Sequence, residues 1–139
     1  MFLLDTNVVS ELRKVRSGKA NAGVAEWAER VPTALLFVSA ITIHELEHGV
    51  LLMERSDARQ GAALREWLDR SVAAAFKGRV LAVDEEVARR AASLHVPDPV
   101  PFRDALIGAT GLVHRMTVVT RDVKDFRRFH RLDVVNPWS

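Results

Sequence analysis

Short apolar segments alternate with longer amphipathic segments along the whole chain of 139 residues. The first two short segments, Phe2–Leu4 and Leu35–Val38, are apolar at every position, as expected for strands that are covered on both faces. Each is followed by apolar residues at helical spacing, such as Val8, Val9 and Leu12 after the first. Strands and helices that alternate in this way predict a parallel sheet with helices packed on both sides.

The remaining segments continue this alternation. The motif Thr42-Ile-His-Glu45 matches a capping box and predicts the start of a helix, and three prolines between Pro97 and Pro101 predict an extended loop. The other expected elements, in chain order, are helices over residues 21–30 and 57–76, a strand over 80–83, helices over 84–95 and 104–114, a strand over 117–120, a helix over 122–129 and a strand over 134–135.

Composition narrows the class of protein. Hydrophobic residues make up 48% of the chain and charged residues 27%, which is typical of globular domains. Because there is no cysteine, disulfides and thiolate metal sites are excluded, and any metal must be bound by oxygen or imidazole. Neither a secretory signal nor a membrane-spanning run is recognisable. We therefore expect one cytoplasmic domain over residues 1–139, with no membrane association.

Four acidic residues follow the predicted strands or open the predicted helices, and they are Asp5, Glu45, Asp104 and Asp122. Ligands of open parallel sheets bind beyond the carboxyl ends of the strands, so neighbouring strands would bring these carboxylates into one cleft. Like charges at close range raise one another's pKa unless a cation binds among them. Mg²⁺ or Mn²⁺ suits such an all-oxygen site, where it can polarise a phosphate and activate water.

The same residues also have purely structural explanations. Asp5 is suited to cap a helix, Glu45 to complete the capping box, and Asp104 and Asp122 to stabilise helix N-termini by their charge. Asp104 fits such a role least well, because the helix that it opens is apolar on nearly all sides. Both interpretations stay open at this point.

Basic residues are concentrated toward the C-terminal end. The net charge of the chain is only +2, yet residues 103–131 carry seven Arg and Lys against three Asp. Such a segment is typical of a phosphate-binding surface and also of a solvated helix face. The candidates for phosphate contact are Arg121, Lys124, Arg127 and Arg128.

Four motifs follow one another in a fixed order. They are Leu3-Leu-Asp-Thr-Asn-Val-Val-Ser-Glu11, Ser39-Ala-Ile-Thr-Ile-His-Glu-Leu46 with Gly49, Asp104-Ala-Leu-Ile-Gly-Ala-Thr110, and Val119-Thr-Arg-Asp122 with Phe126. In these motifs, and in its terminal Asn136-Pro-Trp138, the chain resembles PIN-domain ribonucleases of the VapC/FitB type over its whole length. The resemblance implies an α/β/α sandwich with a central, mainly parallel β-sheet. It also implies a Mg²⁺- or Mn²⁺-dependent endoribonuclease that is the toxin of a bacterial type II toxin–antitoxin system.

The resemblance also implies roles for particular residues. The catalytic residues would be Asp5, Glu45, Asp104 and Asp122, of which Asp5, Asp104 and Asp122 would bind the metal. Asn7 and Thr120 would support them by hydrogen bonds, and Asp125, one turn beyond Asp122, would reach the metal shell.

Three partners are implied as well: an RNA substrate, a small VapB/FitA-like antitoxin and a second copy of the chain in a homodimer. Because an acidic cleft attracts a basic side chain, we expect the antitoxin to insert an Arg or Lys near Asp5 and Asp104.

A rival motif overlaps the second of these four. His44-Glu-Leu-Glu-His48 matches HExxH, which on a helix would supply two zinc ligands with Glu45 as general base. A third ligand is needed, and Glu66 can serve only if the next helix folds back. A zinc metallohydrolase and a nonenzymatic module that binds RNA or a partner are therefore the alternatives.

Overall fold

Five parallel strands form a single sheet at the centre of the molecule. The computed structural model describes all 139 residues, and the strands are β1 (Phe2–Leu4), β2 (Leu36–Ser39), β3 (Val80–Leu81), β4 (Thr117–Val119) and β5 (Val134–Val135). Their order is β3-β2-β1-β4-β5, so β1 lies between β2 and β4. Leu3 is paired with Phe37 on one side and with Val118 on the other. The carboxyl ends of the first, second and fourth strands are therefore neighbours.

Eight helices surround the sheet: α1 (Thr6–Leu12), α2 (Ala22–Arg30), α3 (Ala40–Ser56), α4 (Ala58–Glu66), α5 (Ala73–Ala75), α6 (Glu85–Ser93), α7 (Phe102–His114) and α8 (Val123–Arg127). The π-helical segment Trp67–Val72 joins α4 to α5, so the helix expected over 57–76 is one helical stretch with a widened middle. No helix combines the length and the apolar character needed to cross a membrane.

The two faces of the sheet contact different apolar layers, because successive residues of a strand point to opposite sides. Leu4 packs with Val8, Leu46 and other residues of one cluster. Its neighbour Leu3 packs with Ile107 and others on the opposite face. Both leucines are fully buried, which confirms the expected α/β/α sandwich and explains why the strands are apolar throughout.

The capping box predicted at Thr42-Ile-His-Glu45 is wrong. Helix α3 begins at Ala40, and its N-cap is Ser39, whose hydroxyl accepts a hydrogen bond from the Ile41 amide at 3.0 Å. Thr42 is fully buried, and Glu45 lies in the second turn rather than the first. Since Glu45 cannot cap this helix, its carboxylate is free to contact other elements.

The α3–α4 pair supplies a test of this packing. A Cβ atom at Gly61 would lie 2.5 Å from the Glu54 Cα, whereas one at Gly49, in the middle of α3, would meet nothing within 4 Å. Gly61→Ala should lower the free energy of unfolding by about 1 kcal/mol or more, because backbone atoms would have to shift. Gly49→Ala should raise it by about 0.5–1 kcal/mol through helix propensity alone. Urea unfolding of both variants measures the two effects, and a stabilising Gly61→Ala change would contradict the close approach.

Candidate functional site

Asp5 lies at the centre of the carboxyl edge of the sheet, immediately after β1. Its backbone amide donates to the Val119 carbonyl at 2.9 Å and so extends the pairing of β1 with β4. Its carboxylate accepts hydrogen bonds from the Thr6 amide and the Thr120 hydroxyl, both at 2.8 Å. The residue is only 1% exposed. Asp5 therefore does cap α1, as one interpretation expected, but its second oxygen is held by a different strand end.

Glu45 reaches the same place from α3. The Thr6 hydroxyl donates to its Oε1 at 2.5 Å, and the buried Thr42 hydroxyl lies 3.1 Å from that of Thr6. Because Thr6 has one hydroxyl proton and gives it to a carboxylate, Thr42 must be the donor in the second contact. The two threonines fix the carboxylate of Glu45 beside Asp5.

Asp104 completes the group from the first turn of α7. It is 5% exposed, although it belongs to a helix whose next seven residues are all buried as well. Arg128 of the segment after α8 donates to its Oδ2 at 3.3 Å. The side chain of Asp104 lies across one shared cation from Asp5 and Glu45.

That cation is Arg103, which belongs to the basic segment 103–131 but is not among the residues predicted for the site. Its Nη2 donates to Asp5 at 2.6 Å and to Glu45 Oε1 at 2.8 Å, and its Nε donates to Glu45 Oε2 at 2.8 Å. Its Nη1 donates to Asp104 at 2.9 Å. Three carboxylates from three elements thus converge on one guanidinium.

The charges of these groups depend on one another. Burial opposes ionisation of Glu45, but hydrogen bonds from Arg103 and Thr6 prevail and lower the pKa of Glu45 below its usual value. Burial raises the pKa of Asp104 in spite of its hydrogen bond with Arg103, and the nearby charge of Asp125 adds to that rise. Burial acts to lower the pKa of Arg103, but its bonds to Glu45 and Asp5 raise it above the ordinary value. Arg103 therefore stays charged.

Asp122 lies at the exposed rim of this group rather than within it. Its carboxylate accepts a hydrogen bond from the Asn7 side-chain amide at 3.1 Å and makes no capping bond to α8. Its backbone amide donates to the Thr120 hydroxyl at 3.0 Å, and the Asn7 carbonyl oxygen accepts from the Arg121 amide at 3.4 Å. Thr120 thus links Asp122 to Asp5, and Asn7 holds the Asp122 carboxylate.

The four basic candidates differ in their surroundings. Lys124 and Arg127 are exposed and form no ion pair. The guanidinium of Arg121 lies over the Trp138 ring, 5.5 Å from its centroid. Arg128 is already engaged by Asp104 and by the Phe129 ring. Arg121, Lys124 and Arg127 are therefore free to contact a phosphate, whereas Arg128 is paired with Asp104.

The HExxH motif lacks the geometry of a zinc site. His44 and His48 lie on the exposed side of α3 with ring centroids 6.4 Å apart, while Glu45 is bound to Arg103 and Thr6. Glu66 does not join them, since no three His, Asp or Glu side chains converge closely enough to bind one metal ion directly in this conformation.

Known proteins resemble the chain over its whole length. The PIN domain profile matches residues 2–132. The VapC ribonuclease Y4jK of Sinorhizobium fredii is 34% identical over 144 residues, which cover 100% of this chain and 99% of the relative. Toxin FitB of Neisseria gonorrhoeae is 35% identical, with 99% of each chain covered. The crystal structure of FitAcB from the same organism superposes with a TM-score of 0.88 at 34% identity, again covering 99% of both chains.

The link made by Thr120 can be tested by an isosteric change. Thr120→Val would remove a donor from the buried Asp5 carboxylate and an acceptor from the Asp122 amide, which should cost about 1–3 kcal/mol of unfolding free energy. Thr110→Val is the matched control, because that buried hydroxyl donates only to the Leu106 carbonyl of its own helix. Urea unfolding should show the larger loss for Thr120→Val, and equal losses would remove the special role of this hydroxyl.

Proposed function

The chain belongs to the PIN-domain family, and we propose that it is the toxin of a bacterial type II toxin–antitoxin pair and a divalent-metal-dependent endoribonuclease. The observation that carries this proposal is the convergence of Asp5, Glu45 and Asp104 on a single cation at the carboxyl edge of the sheet. Whole-length relatives named as a ribonuclease and a toxin support it.

Mg²⁺ is the cofactor that we propose, with Mn²⁺ as a substitute. The donor set consists of carboxylate oxygens without sulfur, which hard cations prefer. Asp5 and Asp104 would bind the ion from the buried side, and Asp122 from the rim. A bound ion would polarise the scissile phosphate and lower the pKa of an attacking water.

The surrounding side chains keep these carboxylates in place. The Thr6 and Thr120 hydroxyls each donate to a carboxylate oxygen, which leaves the remaining lone pairs directed into the cleft. Glu45, whose pKa is lowered by hydrogen bonds from Arg103 and Thr6 against the effect of burial, stays ionised. Its Oε2, which Arg103 holds and Thr6 does not, would accept a proton once Arg103 is withdrawn. Asp125 acts at longer range, through its charge on Asp104.

RNA would approach over α8 and the C-terminal end of β4. Arg121, Lys124 and Arg127 are exposed there, beside the rim residue Asp122. Arg121 holds its guanidinium against Trp138, so its direction is already restricted before any phosphate binds. We propose these three as phosphate contacts, with Arg128 in a secondary role because Asp104 already holds it.

We propose the remaining partners on the strength of the resemblance: a VapB/FitA-like antitoxin, a homodimer and a cytoplasmic location. Two observations are compatible with protein partners. Leu51 and Leu52 of α3 are 52% and 55% exposed. Phe102, which precedes Arg103 in the chain, is 74% exposed. The carboxylates of Asp5, Glu45 and Asp104 already bind a guanidinium, and an inserted Arg of the antitoxin would supply the same functional group.

Asp104→Asn tests the proposed activity directly. The change preserves shape but removes one ligand charge, so Mn²⁺ binding should weaken and cleavage of a labelled RNA should fall by orders of magnitude. Because burial raises the pKa of Asp104, its ionised form is disfavoured by folding, and the metal-free variant should be as stable as the wild type or more stable.

The matched control is Asp98→Asn in the exposed proline-rich loop, which should leave cleavage and thermal midpoint unchanged. Near wild-type cleavage by Asp104→Asn would contradict the metal assignment. RNA binding by the wild type without Mn²⁺-dependent cleavage would favour the nonenzymatic module instead.

The phosphate contacts predict a salt effect. Replacing Arg121, Lys124 or Arg127 by Ala should weaken RNA binding and reduce the slope of log K against log salt by about 0.7 per lost contact with single-stranded RNA. Arg89→Ala, on the exposed face of α6, is the control and should leave the slope unchanged. Fluorescence anisotropy over a salt series gives the slopes, and an unchanged slope for all three variants would make this segment a solvated face.

A further inference from the structure

Arg103 occupies the point toward which the three carboxylates are directed. Every nitrogen of its guanidinium donates to at least one of them, at 2.6–2.9 Å. The side chain therefore neutralises a cluster that would otherwise contain only negative charge. The local sequence does not predict this role, since Arg103 is one of seven basic residues in segment 103–131.

A divalent ion and Arg103 exclude one another at this point. With the guanidinium among them, no three acidic or imidazole side chains are placed to bind one ion. Mg²⁺ requires oxygens at about 2.0–2.1 Å in nearly octahedral geometry. Because Arg103 bonds to all three carboxylates, metal binding requires its guanidinium to leave.

We propose that Arg103 is the resident cation of the metal-free enzyme, that the divalent ion displaces it, and that the displaced guanidinium then binds an RNA phosphate at the mouth of the cleft. This inference rests on the function proposed above. It makes Arg103 a substrate-binding residue of the metal-loaded enzyme and a competitor of the metal in the absence of substrate.

The anchoring of the group indicates which side chain moves. Without Arg103, Asp5 keeps its bonds to Thr6 and Thr120 and Glu45 keeps its bond to Thr6. Asp104 keeps Arg128. Arg103 has no comparable second anchor, and its side chain is 34% exposed against 2% for that of Asp5. The carboxylates therefore stay and the guanidinium leaves.

The chemistry of the guanidinium indicates where it goes. Arginine stays protonated at any physiological pH and carries five N–H donors in a planar fork that matches carboxylates and phosphates equally well. When a metal ion binds the carboxylates, the phosphate of the RNA substrate is the anion that remains available to the guanidinium. Charge-assisted, bidentate bonds to that phosphate replace those to Glu45.

Arg103→Met is the test, because methionine keeps much of the length and removes the charge. The Mn²⁺ dissociation constant, measured by calorimetry without RNA, should fall by about tenfold, since one charge-assisted competitor is lost. The KM for RNA at saturating Mn²⁺ should rise by about tenfold, since one phosphate contact is lost. A purely structural role would weaken both kinds of binding together.

Arg65→Met is the matched control. Arg65 also pairs with three carboxylates, those of Glu47, Glu54 and Asp69, but on the outer surface of α3 and α4. This variant should change neither constant. A tenfold change in Arg65→Met of the same sign would overturn the assignment to Arg103 by making the effect a general one of charge.

Arg103→Lys keeps the inference testable if the methionine variant does not fold. Lysine keeps the charge as a single point and loses the fork, so the Mn²⁺ dissociation constant should still fall and the KM for RNA should still rise. An unchanged or higher Mn²⁺ dissociation constant in the folded variant overturns the inference alone when the wild type binds Mn²⁺ and cuts RNA. A wild type that does neither overturns the proposed function and this inference together.

Discussion

Buried carboxylates that face one another require a cation, and much of the site is arranged around that requirement. Asp5 and Asp104 are almost completely removed from water, where an isolated charge is strongly unfavourable. Glu45 joins them from α3, and Arg103 offsets all three charges. Burial still raises the pKa of Asp104 although Arg103 and Arg128 act to lower it. The two arginines therefore offset only part of the cost of burying this carboxylate. A cation of higher charge density than a guanidinium would offset more of that cost.

The parallel sheet and the threonines at its edge make such an arrangement reproducible. The central position of β1 places Asp5 next to the ends of both β2 and β4. Thr120 follows β4 and donates to Asp5, while Thr6 and the buried Thr42 hold Glu45. Each hydroxyl satisfies a buried acceptor that would otherwise cost stability. The carboxylates are thus positioned by neighbours that stay in place whichever cation they share.

Local patterns in the sequence predicted the parallel sheet, the helices on its two faces and the place of Asp5 at the end of β1. These features could be predicted because they depend on short-range periodicity. The predicted start of α3 was wrong, since Ser39 and Thr42 are both capping residue types and both are fully buried. Only the hydrogen bond from the Ile41 amide to the Ser39 hydroxyl identifies the N-cap. Arg103 was missed for a different reason. Two of its three partners lie 58 and 98 residues away in the chain, and a count of charges does not show which side chain turns inward.

Arg103 and Arg65 show why burial, rather than the number of ion pairs, determines the consequence of such a contact. Each arginine pairs with three carboxylates. Those of Arg65 are 37–57% exposed and return to water when the arginine is removed, so these pairs add little net stability. Asp5 and Asp104 have no such access. Removing Arg103 would leave two carboxylates away from water without a counter-charge, which costs far more than the loss of an exposed pair, so the group that replaces Arg103 must also be a cation.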